Sequence, residues 1–374
     1  MREVAVVGVG MTRFGRRDDK TMPELGVEAT LNALRDSGIA WKTVQLAYCA
    51  AANQGLAAGT RVLEAIGMTG IPIINVENAS ASGSTAFREA YLAVASGAYD
   101  VALALGVGKI GKGGLSATDD VRETNISRVM GLNHALSNFA LKMNRRMHDY
   151  GSSIDSFARI AVKNHHHGAL NPYAQIQKEV TVEEVHASRM GCDPLTVLHM
   201  CPISDGAAAA ILCSTDVAAK CTKGPLITVA ASVFKTQAYR SRNCPGPDVT
   251  EVAAKEAYEQ AGMGPWDMDL VQVHDAATIE EVESYEFLGY CKYGEGERLI
   301  DEGATQIGGK IPFNTDGGLL TRGHPLGPTG LAQIWETVVQ LRGQAGPRQV
   351  EGAKVGLAHM IGYGDVAVIH ILKR

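Results

Sequence analysis

The sequence lacks the features of a membrane, nucleic-acid-binding or disulfide-stabilised protein. Its longest apolar runs, such as Val101 to Val107, are far shorter than the roughly 20 residues that a membrane helix needs. The formal net charge is -5 at pH 7, so no basic excess favours nucleic acid as a partner. The seven cysteines are an odd number and include no CxxC pair. We therefore expect reduced thiols without a cysteine-based zinc site.

Targeting signals and metal motifs are also missing. The first residues, Met1-Arg2-Glu3, lead directly into a strand-like run without the apolar segment and cleavage site of a secretory signal. The last residues, Ile371-Leu372-Lys373-Arg374, match no peroxisomal or retention signal. We therefore expect a cytoplasmic protein. The run His165-His166-His167 has no cysteine or carboxylate at ligand spacing beside it, which favours a solvated helix face over a metal site.

Length and periodicity indicate an α/β protein. The 374 residues, 45% apolar and 20% charged, suffice for one large or two medium globular domains. Strand-like runs alternate with helical periodicity, beginning with Val4 to Val9 and then Thr21 to Ser37, which Gly38 ends. The alternation predicts a parallel sheet with right-handed crossovers. Gly8-x-Gly10 lacks the third glycine of a dinucleotide fingerprint, so it is a weak Rossmann signal.

An internal repeat divides the chain into two similar halves. A helix, Asp36-Ser37-Gly38-Ile39 and a strand over Val44-Gln45-Leu46 recur as a helix, Gln260-Ala261-Gly262-Met263 and Val271-Gln272-Val273. We expect an N-terminal half over residues 1–225 and a C-terminal half over residues 226–374. Between about residues 110 and 195 the composition changes to a glycine-rich and then charged stretch. That stretch is expected to be an inserted loop subdomain that covers a site.

The segment Asn78-Ala79-Ser80-Ala81-Ser82-Gly83-Ser84 has the pattern of a strand-to-helix turn around a hydroxyl. Its small residues permit a sharp turn, and the unpaired amides of the following helix point at whatever lies there. This arrangement is typical of an exposed nucleophile, with a well-capped, closely packed helix as the alternative. A second turn, Gly323 to Gly330, lies at the equivalent place in the second half. Since ligands bind at the carboxyl ends of strands, we expect both turns at one cleft.

Histidines and glycines elsewhere supply partners for such a nucleophile. His324, among glycines and prolines, suits a general base for Ser80. His274 ends a predicted strand, where a lone histidine is more often structural, but it is placed to polarise a carbonyl. The backbone amides of Ser80 and Gly362 are suited to form an oxyanion hole.

Five ordered segments together resemble the thiolase superfamily, especially its sterol-carrier-protein-type branch. The resemblance covers essentially the whole chain. It implies a duplicated, five-layered α-β-α-β-α fold, usually a dimer or tetramer, that acts on coenzyme A thioesters without a permanently bound cofactor or metal. The segments are Asn78 to Ser84, Cys201 to Ala209, His274-Asp275-Ala276, Gly323-His324-Pro325 and His359 to Gly364.

The resemblance also assigns catalytic roles. It implies that His324 activates the nucleophile and that His274 holds the thioester or enolate oxygen. Gly362 supplies the second oxyanion-hole amide beside that of Ser80.

Substrate and partner roles follow from the same resemblance. It implies that the loop subdomain covers coenzyme A, whose contacts we assign to Arg145, Arg146 and Ser204. The expected assembly is a homodimer or a dimer of dimers. A small zinc-ribbon acyl-CoA-associated subunit is implied as a further partner.

Two departures from the family pattern keep three functions open. Ser80 occupies the position of the family's nucleophilic cysteine, and Ala276 and Met360 occupy the places of its second catalytic cysteine. An unactivated serine is a poor nucleophile. The first function is an acyltransferase or thiolase that uses Ser80, or a cysteine enzyme whose cysteine was replaced. The second is a retro-aldol lyase for β-hydroxyacyl-CoA with Tyr363 as acid/base, and the third is a non-catalytic coenzyme-A-binding subunit. The undisturbed surroundings of Ser80 favour the first.

Overall fold

The computed structural model describes residues 1–110, 135–221, 224–238, 246–363 and 365–374. Strands and helices alternate in it much as the sequence predicts. The strands are β1 (Val4–Met11), β2 (Leu46–Ala50), β3 (Ile73–Val76), β4 (Val101–Gly108), β5 (Met190–Cys192), β6 (Leu195–Thr196), β7 (Gly206–Ser214), β8 (Thr228–Thr236), β9 (Leu270–Gln272), β10 (Val355–Gly362) and β11 (Val366–Lys373). The helices are α1 (Met22–Ser37), α2 (Ala58–Leu63), α3 (Ser82–Ala95), α4 (Ala135–Tyr150), α5 (Ile154–Ala169), α6 (Val182–Ala187), α7 (Thr215–Cys221), α8 (Val249–Ala261), α9 (Thr278–Phe287), α10 (Gly296–Asp301), α11 (Gly318–Arg322) and α12 (Thr329–Leu341).

The same local signals delimit corresponding helices of the two halves. Thr21 and Glu24 form a capping box at the start of α1, and Gly38 ends that helix with a φ of 69°. Asp248 caps α8, which Gly262 ends with a φ of 66°. Left-handed backbone of this kind is readily adopted by glycine, which explains why both helices stop at that residue.

The strand order repeats between the two halves. Nine strands follow the order β3-β2-β4-β7-β1-β8-β11-β10-β9, but β1 and β8 share only the pair Ala5 and Thr228. The order β1-β7-β4-β2 therefore corresponds to β8-β11-β10-β9, with matching strand directions. Phe313 bridges Val271 in parallel, at the place that β3 has beside β2. The predicted duplication of the fold is confirmed.

The expectation of a parallel sheet is wrong, because the sheet is mixed. β7 and β11 each run antiparallel to both of their neighbours. Only residues 363–365 separate β10 from β11, and a link of three residues is too short for a parallel crossover. β7 follows the long insertion, so the alternation of strands and helices in the sequence does not determine its direction.

Three apolar clusters show that helices and sheets form five layers. The central cluster joins α3 and α12 to residues of both halves of the sheet. An outer cluster packs α1 and α2 on the N-terminal strands, and another packs α8 and α9 on the C-terminal strands. The order helix, sheet, helix pair, sheet, helix is the predicted α-β-α-β-α arrangement.

The inserted segment packs on the opposite half of the fold. Residues 111–134, which include its glycine-rich start, lie outside the described residues, as do Cys244 and Gly364. Its helix α5 contacts the C-terminal half, where Lys163 Nζ donates to the carbonyl of Phe313 at 2.9 Å. Along the described ranges, none of the helices combines the length and apolarity required to cross a bilayer.

The histidine run in α5 is mostly buried, which corrects the expected solvated face. Nδ1 of His165 lies 2.8 Å from the carbonyl of Lys178, and Nδ1 of His167 lies 3.0 Å from that of Asn314. His166 alone of the three is exposed. The cause is that α5 is covered on two sides, by its own insertion and by the C-terminal half. Within the described part of the chain, no three His, Cys, Asp or Glu side chains cluster as metal ligands.

Two glycines of the first half lie in close contact with the turn Gly323 to Gly330. A Cβ added to Gly106 of β4 would lie 2.6 Å from Cα of Pro328 and 2.7 Å from the carbonyl oxygen of Gly327. One added to Gly83 of α3 would lie 2.6 Å from the same oxygen. The backbones therefore touch directly, and this contact fixes the position of the His324 turn.

We expect Gly106→Ala to lower the free energy of unfolding by about 1–3 kcal/mol, the usual effect of overpacking. Denaturant unfolding followed by circular dichroism measures this loss. The matched control is Gly224→Ala, since a Cβ there meets no atom within 4 Å. Equal stability of the two variants would contradict the close contact.

Candidate active site

Ser80 lies in a tight turn between β3 and α3, as the sequence predicts. Ala79 has a φ of 48°, a left-handed conformation that costs a non-glycine residue about 1–2 kcal/mol. The turn is held by Ser82, whose Oγ accepts from the amide of Asn78 at 2.8 Å and donates to the carbonyl of Ala79 at 2.6 Å. Strain that is held in this way is typical of functional turns.

Ser80, His324 and Thr329 form a hydrogen-bonded relay. Ser80 Oγ lies 2.9 Å from Nε2 of His324, and Nδ1 of that ring lies 2.9 Å from Oγ1 of Thr329. The Thr329 hydroxyl donates to the carbonyl of Pro325 at 2.6 Å, so it accepts from Nδ1–H. Nε2 is then the acceptor nitrogen facing Ser80. Nucleophile, base and orienting group thus stand in the arrangement that activates a hydroxyl.

Burial keeps the His324 ring neutral. It lowers the pKa of His324 well below its usual value near 6.5, and the nearby His274 and Arg322 lower it further. A neutral ring is the form that accepts a proton. The environment therefore maintains His324 as a base at neutral pH.

Ser204 holds the backbone of His324. Its Oγ accepts from the amide of His324 at 2.9 Å and donates to Oε1 of Gln175 at 2.6 Å. Ser204 is completely buried. The geometry of Ser204 therefore gives no support to its predicted coenzyme A contact. Ser204 instead positions the backbone of His324.

His274 lies against His324 with its ring nitrogens unpaired. The two rings meet edge to face, with centroids 5.4 Å apart. Nδ1 of His274 is 3.1 Å from Oε2 of Glu280, but neither nitrogen has a well-formed hydrogen bond among the described residues. Buried polar atoms are rarely left without a hydrogen bond, so the unpaired nitrogens of His274 indicate a place where a ligand binds.

Asp275, the neighbour of His274, holds the helix that leads into the His324 turn. Its carboxylate accepts from the amide of Leu319 at 2.7 Å and from Nδ2 of Asn164 at 2.9 Å. Leu319 belongs to α11, which leads directly to Gly323 and His324. His274 thus lies in the site, while Asp275 fixes the adjacent helix α11.

Gly362 lies against the Ser80 turn, whereas Tyr363 does not lie in a buried site. A Cβ on Gly362 would be 2.4 Å from the carbonyl oxygen of Asn78 and 3.0 Å from Cβ of Ala81. Glycine is therefore required for this approach. Tyr363 is 87% exposed, and this exposure gives no support to a catalytic role.

Arg145 and Arg146 are engaged elsewhere. The guanidinium of Arg146 is buried and paired with both Glu286 and Glu297, so its charge is already balanced. The Arg145 side chain is 76% exposed and pairs with Asp149. The buried ion pairs of Arg146 give no support to its predicted coenzyme A contact, whereas the contact of the exposed Arg145 stays a prediction.

Cys201, which lies three positions before Ser204, does not replace the missing nucleophilic cysteine. Burial raises the pKa of the Cys201 thiol well above its usual value, and the carboxylates of Asp275 and Glu280 raise it further. Ala276 and Met360, at the places of the second catalytic cysteine, are buried and apolar.

Two residues of the site were not identified from the sequence. Thr329 lies five positions after His324, and nothing in a Pro-Thr-Gly turn distinguishes its hydroxyl from a capping group. Glu280 stands next to Glu281 at the start of α9, where acidic residues ordinarily complement the helix dipole. Only the fold brings Glu280 to His274.

Residues 4–216 match a family described as thiolase, N-terminal domain, and residues 231–374 match one described as thiolase C-terminal domain-like. Together they cover most of the chain. It belongs to the thiolase family.

Similar proteins agree with this membership. The chain is 40% identical to an acetyl-CoA acetyltransferase of Methanothermobacter thermautotrophicus over 100% of both chains. It is 39% identical to sterol carrier protein 2 of Homo sapiens over 100% of this chain and 72% of that protein. The solved Ltp2-ChsH2(DUF35) aldolase has a TM-score of 0.87 at 25% identity and covers 99% of this chain and 97% of that one. The predicted branch, layered fold and thiolase-type enzyme class are confirmed.

We expect acyl transfer by this thiolase-type site to keep a constant kcat/KM from pH 8 down to about pH 6.5 and to fall only at lower pH. Neutral His324 is the active base, and since its pKa is lowered, protonation disables it only below that range. Steady-state rates over pH 4.5–8.5 measure the profile. Near-UV circular dichroism at each pH separates titration from unfolding. A loss of activity centred at or above pH 6.5 would contradict the assignment.

Proposed function

We propose that the protein is an acyltransferase that cleaves and forms C–C bonds in β-ketoacyl-CoA through an acyl ester on Ser80. The relay of Ser80, His324 and Thr329 is the observation that carries this proposal. A non-catalytic binding subunit would need neither the aligned base nor the strained turn.

The reaction follows from the positions of these groups. Ser80 Oγ attacks the β-keto carbon as His324 Nε2 takes the hydroxyl proton, and the amides of Ser80 and Gly362 receive the developing oxyanion. Collapse breaks the C–C bond and leaves an acyl ester on Ser80, while the electron pair forms the enolate of the departing thioester beside His274. The proton taken up by His324 ends at Cα of this enolate. The thiol of coenzyme A then attacks the ester, and His324 passes the thiol proton to Ser80 Oγ, which leaves as the restored hydroxyl.

The nucleophilicity of a serine at position 80 depends on neighbouring groups more than that of a cysteine would. A thiol is a few per cent ionised at neutral pH and intrinsically nucleophilic, whereas a hydroxyl needs a base in contact with it. Thr329 fixes the ring of His324 in the accepting tautomer, and Ser204 fixes its backbone. These contacts support catalysis without a thiolate.

A retro-aldol lyase for β-hydroxyacyl-CoA is the second candidate. Both places of the second catalytic cysteine are apolar here, and a structural neighbour is named an aldolase. In that reaction His324 would take the proton of the substrate β-hydroxyl, and Ser80 would form no covalent bond. The same enolate would form beside His274.

Substrate, partners and location complete the proposal. We assign coenzyme A thioesters as substrates, with no permanently bound cofactor, in a chain organised as residues 1–225 and 226–374. A zinc-ribbon subunit is a proposed partner, supported by the two components in the name of the Ltp2-ChsH2(DUF35) aldolase. The free cysteines of the described residues support a reducing, cytoplasmic location.

We expect acyl transfer from a β-ketoacyl-CoA to coenzyme A to be lost in Ser80→Ala and to increase in Ser80→Cys, because a thiolate is the better nucleophile. Thioester analysis by liquid chromatography and intact-protein mass spectrometry of the trapped acyl-enzyme measure both. Thr329→Val should lower kcat about 10²-fold, the usual effect of a misplaced catalytic group, whereas Thr329→Ser keeps the hydroxyl. Retained C–C cleavage of a β-hydroxyacyl-CoA by Ser80→Ala would instead establish the lyase.

We expect the edge strand β3 to form the homodimer contact, so that Ile74→Lys produces monomers. Among the described strands β3 pairs only with β2, and Ile74 is 41% exposed on it. A lysine on an open edge opposes pairing with a second strand. Light scattering after size-exclusion chromatography measures the mass. Leu31→Lys, at a similarly exposed position on α1, is the control, and an unchanged dimer in Ile74→Lys would exclude this edge.

A further inference from the structure

The proposed reaction requires a second acid/base besides His324. The enolate that leaves must gain a proton at Cα, and in the synthetic direction Cα must lose one. His324 is engaged with Ser80, and the positions that hold the family's second cysteine are Ala276 and Met360. Titratable groups that contact His274 are therefore the candidates for this transfer.

Glu280 differs from Glu281 and Glu283 of α9, because one of its carboxylate oxygens has no well-formed hydrogen bond among the described residues. Its Oε2 is fully buried without a hydrogen bond, although it lies 3.1 Å from Nδ1 of His274. By contrast, Glu281 accepts from Asn164 and three other donors, and Glu283 accepts from Lys142 at 2.8 Å. An unsatisfied carboxylate oxygen beside two unpaired imidazole nitrogens marks this group as one that can interact with a bound reactant.

A series of side-chain contacts connects Glu280 to the nucleophile. Glu280 contacts His274, His274 packs edge to face on His324, and His324 contacts Ser80. Glu280, His274 and His324 are buried. A substrate group that binds at the His274 nitrogens therefore lies next to the carboxylate.

Charge favours the basic form of this carboxyl. Burial alone would raise the pKa of Glu280, but the His274 imidazole and then the Lys142 ammonium outweigh it and lower that pKa below its usual value. Glu280 is therefore ionised at neutral pH and able to accept a proton.

We propose that Glu280 is the catalytic base that exchanges the proton at Cα of the acyl-CoA thioester. The Cα–H bond breaks as an O–H bond forms on the carboxylate, and the electron pair moves into the enolate, whose oxygen lies at His274. In the cleavage direction the proton that His324 takes from the attacking or substrate hydroxyl passes by way of His274 to Glu280, and the carboxyl delivers it to Cα of the enolate. The assignment rests on the proposed function, but it holds for both the acyltransferase and the lyase, because both pass through the same enolate.

The test is hydrogen–deuterium exchange at Cα of acetyl-CoA, propionyl-CoA and longer thioesters in D2O, followed by mass spectrometry. Exchange needs no acyl-enzyme, so it reports proton transfer at Cα separately from acyl transfer to Ser80. Glu280→Gln should lose at least 100-fold, and Glu283→Gln, which removes a carboxylate one turn along the same helix, should stay near the wild-type rate. Thermal unfolding of each variant verifies that the fold is intact.

Chemical rescue separates catalysis from a purely structural role. Glu280→Gly opens space for a small carboxylate, and added formate should restore exchange in a saturable manner, whereas chloride should not. Exchange near the wild-type rate in Glu280→Gln, or no rescue by formate in a folded Glu280→Gly protein, would overturn the inference while leaving the proposed function in place. Absence of exchange in the wild-type protein with every thioester would overturn both.

Discussion

The contact of 2.9 Å between Ser80 Oγ and His324 Nε2 joins residues that are 244 positions apart. It exists only if both halves of the fold pack in one register, since each half supplies one partner. The backbone crossings of Gly106 and Gly83 with the Gly323 to Gly330 turn set that register. Without a Cβ at these positions the halves approach closely enough for a hydrogen bond, whereas a displacement of 1 Å would break it. The geometry of catalysis is thus a direct consequence of packing between the layers.

A buried polar network gives the same turn a rigid base. Glu281 accepts from several donors, including Lys163, and Arg322 pairs with Asp316 directly before the Gly323 turn. Buried charges are costly unless they are paired and hydrogen-bonded. Asp275 belongs to this network, and burial followed by the nearby Glu281 raises its pKa well above the usual value. Such a network restricts the alternative positions of α11 and of the histidine that follows it.

The sequence predicts what depends on local chemistry or on a complete motif. The helix ends at Gly38 and Gly262, the turn at Ser80 and the pairing of that turn with His324 all follow from residue types and from the repeat. Strand direction is different, because β7 returns from a long insertion. The role of Arg146 is not predictable either, because a cation in an amphipathic helix gives no indication of the two carboxylates that it meets after folding.

The contact of Glu280 with His274 is not predictable from the sequence. In the sequence it is one of two adjacent glutamates at the start of α9, and both complement the helix dipole equally well. A helical turn directs neighbouring side chains about 100° apart, so Glu281 enters the polar network while Glu280 meets His274. Loss of the second cysteine leaves the reaction without the titratable group that its position would supply. The fold places the Glu280 carboxylate against His274, where the enolate oxygen is proposed to bind, so a contact that only folding creates compensates for the missing cysteine.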